Sequence, residues 1–267
     1  MRFGMRAALL AVCLATAASC GRGPALLGPQ YEYEEDLTLG LDGSATLIVN
    51  ASIPALIALR GLPLSPDPKA RVDRDQIKQL YTSPYAEVLR VTTWSRRNRR
   101  FVGVRLRVHD IRTLSKASPF SWAACDLHPE DGHHVFRETL GPAASTPSAV
   151  PGVSWDGSEL VAFRLHLPSR IQWHNARTYD DQPNPVQRGN ILTWQQRLTD
   201  RFANRPIAYA EDKTPGVMEV RMDSQSILYR TLWLFGLAFA AAVGVLAFLI
   251  WLTIRKGRDA EGDAGPS

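Results

Sequence analysis

Four arginines fall within six positions of this chain, Ser95-Arg96-Arg97-Asn98-Arg99-Arg100. Like charges this close repel, so they must meet water or anions, and guanidinium forks match phosphate and carboxylate oxygens well. Strand spacing extends the cluster. Arg90, Trp94, Arg105 and Arg107 are expected on one strand face, a basic surface with one aromatic. Such a face suits an anionic lipid or glycolipid head group; a solvated sheet face with a charged loop is the alternative. Glu32, Glu34, Glu35 and Asp36 supply carboxylates for acid–base work. The alternation of Glu32, Glu34 and Asp36 with a core side instead predicts a solvated face or partners for the arginines. His128, His133 and His134 flank a turn holding Glu130 and Asp131, a spacing open to a metal ion or to a plain polar hairpin end.

Catalytic signatures are missing. The chain has no G-x-S-x-G, G-x-G-x-x-G, P-loop, H-E-x-x-H or C-x-x-C. It is read as non-enzymatic, with no cofactor and no bound metal. A hydrolase would need the fold to bring His134, His166 or His174 against a Ser, Cys or carboxylate. Three cysteines offer little more: Cys13, Cys20 and Cys125. Cys125 reads as a small buried hydrophobe rather than a nucleophile. The net charge is +5, part of it at the two ends, which gives no case for nucleic acid.

The ends set the compartment. Thr231 to Ile254 is uncharged and long enough to cross a bilayer core. Arg255, Lys256 and Arg258 follow it, so the positive-inside rule puts the C-terminus in the cytoplasm and the N-terminal bulk outside. Arg2 and Arg6 precede the apolar run Ala7 to Ala18, the pattern of a secretory signal. Ala17-Ala18-Ser19-Cys20 is similar to a bacterial lipobox, making Cys20 a candidate lipid attachment site. Ordinary cleavage leaving Cys20 a plain thiol is the alternative. The chain therefore divides into a signal peptide (1–19), a tether (20–30), an extracytoplasmic domain (31–226), a transmembrane helix (227–254) and a cytoplasmic tail (255–267). Lipid at Cys20 would anchor both ends of the domain on one membrane surface.

Within the domain, period-two alternation predicts hairpins around Asp42-Gly43, around Ser95 to Arg100, and around Pro129 to Gly132. Further strands are predicted at Leu160 to Leu167, Asn190 to Leu198 and Val217 to Met222. Short helices are predicted over Pro54 to Arg60, from Asp73 through Tyr81, and over Ile111 to Ala117. Asn175 to Arg188, with Pro183 and Pro185, reads as a loop, as does the stretch holding Pro147, Pro151 and Gly152. The fold class is α+β: an antiparallel sheet-rich extracytoplasmic domain with a few short helices, plus one C-terminal transmembrane helix.

One stretch carries a family likeness. Leu167-Pro168-Ser169-Arg170-Ile171, then Asn175, then Gly189-Asn190-Ile191-Leu192-Thr193-Trp194, resembles the L-P-x-x-[IV], Asn, G-x-x-[VL]-x-W layout of the LppM-type domain in bacterial membrane lipoproteins. The order of signal, cysteine, domain and single spanning helix fits as well. The resemblance implies a domain that takes amphiphilic lipids and contributes no catalytic residues. The expectation is thus a membrane-anchored envelope lipoprotein whose external domain binds lipid or glycolipid, with acyl chains in an apolar groove between sheet and helices. The alternative is an interaction or assembly factor that contacts another envelope protein.

Overall fold

The computed structural model describes residues 30–144 and 153–262. The predicted signal peptide, Cys13, Cys20, the tether up to residue 29, Pro147, Pro151, Gly152 and residues 263–267 lie outside the described residues.

Alternation builds the first hairpin. Strands β1 (Tyr31–Leu39) and β2 (Ala45–Ser52) pair antiparallel, with Tyr33, Leu37, Leu39, Leu47 and Val49 buried. Asp42 closes the turn by accepting from the Ser44 N–H at 2.9 Å. Helix α1 (Ile53–Arg60) follows at once. Ser52 caps its start, and Gly61, at φ 65°, ends it in a left-handed cap that glycine adopts without Cβ strain. Six of its eight residues are buried, so it is a core helix rather than an amphipathic cover. Asp73 caps α2 (Arg74–Tyr81), which turns Ile77 and Tyr81 inward.

The second hairpin, β3 (Ala86–Arg96) and β4 (Arg99–Val108), is longer than the sequence suggests. The expected six-residue loop contracts to Arg97-Asn98, both at positive φ as a type I′ turn requires. Ile111–Lys116, capped by Asp110, winds as a 3₁₀ helix, and Ser118–Phe120 adds a second short 3₁₀ turn. Strands β5 (Ala123–Glu130), β6 (His133–Leu140), β7 (Leu160–His166), β8 (Ser169–His174), β9 (Ile191–Arg197) and β10 (Val217–Ser226) complete the domain, with helix α3 (Leu198–Phe202) after β9. Neither β8 nor α3 is foreseen in the sequence.

Two sheets result, not one. The first has the order β3-β4-β2-β1-β7-β9 and the second β5-β6-β10-β8. Pairing is antiparallel except between β1 and β7. Their inner faces share one core that includes Leu37, Leu47, Leu106, Phe163, Trp194, Leu127, Phe136, Met218 and Val220. The α+β class with largely antiparallel sheets and few helices therefore holds.

Strand β10 runs directly into α4 (Ile227–Gly262). Its stretch Ile227–Arg255 is 29 residues long; its most apolar window has mean hydropathy 2.5 and none of that window is buried. At 1.5 Å per residue that is about 43 Å, more than a bilayer core of about 30 Å. The Ile227 N–H donates to the Pro168 carbonyl at 2.9 Å, so the helix departs beside the β7–β8 connection. Register then orients the first sheet. Thr38 pairs with His166, and Ala45 pairs with Val108, so the ends of β1, β4 and β7 lie toward this exit. Tyr31 and the Arg97-Asn98 turn lie at the other end, with Arg99 roughly 30 Å along β4 from Val108 at ~3.3 Å per residue.

Candidate functional site

The arginine hairpin is not a free anion trap. Arg99 pairs with Glu32 at 3.0 Å and Glu159 at 2.9 Å, donates to the Ser154 carbonyl at 2.6 Å and lies over the Trp155 ring at 4.8 Å. Arg96 pairs with Glu32 at 3.8 Å and donates to the Tyr31 carbonyl at 2.7 Å. Arg100 donates to the carbonyls of Ala70, at 2.6 Å, and Ser65. Three of the four guanidiniums thus clamp the start of β1 and two loops, and only Arg97 is left facing solvent. The acidic strand start is their partner through Glu32, while Glu34 and Asp36 pair with Arg164 at 3.0 and 3.3 Å.

The four residues expected on one strand face do share it. Register sets Arg90 opposite Arg105, Glu87 opposite Arg107 and Trp94 opposite Phe101, with Thr92 and Gly103 between. They do not form one patch. Glu87 neutralises Arg107 at 2.8 Å. Trp94 stands four strand residues from Arg90, about 13 Å, and stacks on Phe101 with centroids 5.5 Å apart. Gly103 makes room for that aromatic; a Cβ there would sit 2.6 Å from Thr92 Oγ1 and 3.1 Å from the Trp94 ring. What remains is Arg90 against Arg105, two exposed guanidiniums in direct cross-strand register, with no carboxylate partner among the described residues. Like charges placed directly opposite destabilise a sheet. Arg105 is three residues from Val108, about 10 Å from the exit end of β4.

Trp94 instead borders an open trough of about 920 Å³ between residues 68–75 and the edge of β3, with Lys69, Arg71 and Arg74 on its walls. This trough belongs to the far end of the sheet. No spacing rule in the sequence links 68–75 with 93–95; Arg100 and Arg74 hold them together.

The space between the sheets is about 20 Å³, room for one water. Phe136, Phe163, Trp194 and Met218 from the two sheets fill it, so this space is no chamber for an acyl chain. Two carboxyls, Glu35 and Glu138, line this space. Burial, reinforced by the neighbouring Glu35, pushes Glu138 up to about 8 against the pull of Arg60. Burial also raises Glu35, opposed by Arg60 and by the hydrogen bond from Tyr33. Arg60 lies 3.0 Å over the Trp122 ring and donates to the Tyr33 hydroxyl at 3.1 Å. Cys125 lines the same space, and its thiol is raised well above the usual range, first by burial and then by Glu138.

The histidines disperse. His128 Nδ1 is 2.6 Å from Asp126, and His133 Nδ1 is 3.1 Å from the Asp131 carbonyl. No group of three or more metal-ligating side chains forms among the described residues. His166 reaches Asp36 at 3.1 Å, and His174 Nδ1 accepts from the Ala176 N–H at 3.2 Å. Neither is hydrogen-bonded to a hydroxyl or thiol among the described residues.

The motif stretch has a structural role. Asn175 Oδ1 accepts from Trp194 Nε1 and from the Glu219 N–H, both at 2.9 Å, and its Nδ2 donates to the carbonyls of Tyr209 and Val217. It joins β9 of one sheet to β10 of the other.

These features define an α+β domain of two packed sheets carried on one long apolar helix, the form of a membrane-associated protein. Its fold has a weak similarity to the NMR structure of the Mycobacterium tuberculosis LppM folded domain, at 11% identity and a TM-score of 0.36, covering 76% of this chain and 95% of that one. No family model matches the sequence, and no curated protein matches it.

Proposed function

We propose that this is a non-enzymatic, membrane-anchored envelope protein, a lipoprotein if Cys20 is acylated. It is held by α4 with its C-terminus in the cytoplasm, and its external domain contacts an anionic lipid or glycolipid head group. The observation that carries this is the unpartnered Arg90–Arg105 pair on the exit-end half of the sheet. A phosphate or carboxylate bridging the two guanidiniums removes their repulsion and forms charge-assisted hydrogen bonds. Each basic residue near an anionic surface contributes about 1 kcal/mol. Acyl chains stay in the bilayer on this reading, a placement supported by the small space of about 20 Å³ between the sheets. Flotation of the full chain's external domain on added vesicles tests this. Anionic vesicles should capture it, zwitterionic ones should not, and Arg90→Gln with Arg105→Gln should abolish the difference. Equal capture by both vesicle types would overturn the reading.

An assembly factor is the second reading. The free outer edge of β3 favours it.

A further inference from the structure

Strand β3 ends the first sheet. It pairs with β4 on one side, and residues 87–96 make no backbone hydrogen bond to any other segment among the described residues. A long free edge invites pairing with another chain, and proteins usually blunt it with bulges and charge. Here the register shift between Val88 and Arg90 interrupts the ladder at Leu89, leaving Val91 to Arg96 as the regular stretch.

Within that stretch Thr93, Trp94 and Ser95 form one side of the open 920 Å³ trough, whose other wall is the segment from Pro68 to Asp75. Two side-chain pins fix the wall's distance from the strand. Arg74 Nη2 donates to Thr93 Oγ1 at 3.1 Å, and Arg100 Nη1 donates to the Ala70 carbonyl at 2.6 Å. A narrower trough of about 150 Å³ between α2 and Val88–Val91 continues it, with Lys78 on its wall. Trp94, 39% exposed, is braced by Phe101 at the trough's rim. Charge along the trough is mainly positive. Lys69, Arg71, Arg74 and Arg100 line it against Asp73 and Asp75; Lys69 and Arg71 are exposed with no salt bridge among the described residues, while Asp73 is engaged in capping α2 and Asp75 stays exposed.

We propose that this trough receives an extended acidic segment of a partner protein, which adds as a further strand outside β3. Free N–H and C=O groups at strand spacing are matched by a polypeptide backbone. The cations on the walls select carboxylate side chains, and Trp94 offers an apolar contact for one residue of the incoming strand. The trough lies toward the sheet end opposite the exit of α4, which separates it from the protein's own bilayer surface. The proposal goes beyond the head-group contact and uses other residues.

Hydrogen exchange on the full chain in detergent micelles tests it, with a synthetic peptide of alternating Glu and Val as the probe. A Lys–Val peptide of equal length and an acidic polysaccharide serve as controls. The Glu–Val peptide should slow the fast-exchanging amides within Val91–Arg96 at least tenfold and shift Trp94 emission, and neither control should. Lys69→Glu with Arg71→Glu should weaken the peptide at least tenfold yet leave capture by anionic vesicles unchanged, which separates this proposal from the head-group reading. No protection of β3, equal protection by the Lys–Val peptide, or binding of the polysaccharide in the peptide's place would overturn it.

Discussion

The indole N–H of Trp194 donates to Asn175 Oδ1 at 2.9 Å, and through that one side chain the two sheets are stitched together. Trp194 is almost fully buried in the first sheet, while Asn175 also bonds three backbone groups around β10 and the 209 loop. Replacing Asn175 by Ala strands the indole N–H and the Glu219 N–H. Leaving buried polar groups unpaired costs about 1–3 kcal/mol each. Asn175→Ala should therefore destabilise the full chain by about 3 kcal/mol, and Trp194→Phe by less. Thermal unfolding followed by near-UV circular dichroism measures both.

Glu138 makes stability depend on pH. Its folded value is about 8, above that of an exposed carboxylate, because burial disfavours the charged form. The folded state then holds a proton that the unfolded state has lost. Stability is greatest below the ordinary carboxylate range, falls as pH rises from there towards 8, and levels off above it. The change is on the order of 5 kcal/mol at 1.36 kcal/mol per unit. Glu138→Gln should flatten the curve and raise Tm at pH 8 more than at pH 5; a parallel curve would show that another group carries the dependence.

The Cys125 thiol should resist alkylation. It is half-buried beside the space between the sheets, and its ionisation is displaced well upward. Because only the thiolate attacks, iodoacetamide at pH 8 should modify it at least a hundredfold faster in denaturant than in the folded chain. Peptide mass spectrometry distinguishes it from Cys20.

The Arg97-Asn98 turn is improvable. Both residues sit at positive φ, 49° and 58°. Left-handed backbone costs a non-glycine residue about 1–2 kcal/mol. Asn-Gly is the preferred pair for this turn, so Arg97→Asn with Asn98→Gly should raise stability by about 1 kcal/mol. Chemical denaturation is the measurement.

Separating the Arg90–Arg105 pair should cost no stability. Relief of a directly opposed like-charge pair is worth roughly 0.2–1 kcal/mol, so Arg105→Gln should hold or raise Tm. The same variant should reduce capture by anionic vesicles and weaken its salt dependence. A fall in Tm would assign Arg105 a structural role instead.

Local chemistry was legible where it depends on neighbours in the chain. Gly61 ends α1, Asp73 starts α2, and Asp42-Gly43 and Asp131-Gly132 turn their hairpins, each a short-range hydrogen bond or a permitted φ. The long apolar helix was equally plain, because an uncharged run of that length fits only a few environments. Strand β8 was hidden because only Ile171 and Trp173 alternate in a six-residue segment that follows Pro168. The parallel pairing of β1 with β7 was hidden too, since it joins residues about 130 positions apart.

Residue types and faces were thus determined by the sequence itself: which side of β4 carries Arg105 and Arg107, which residues start and stop helices, and where a bilayer can be crossed. Only the tertiary structure decided which charges were already satisfied. It spent Arg96, Arg99 and Arg100 as clamps on Glu32, Glu159 and loop carbonyls, and left Arg90 with Arg105 unpaired. It also packed the two sheets closely on each other, and set 68–75 beside β3 as a trough. The reason is physical. Alternation and caps act over a few residues, whereas ion pairing, packing volume and a free edge depend on what distant segments bring within contact range.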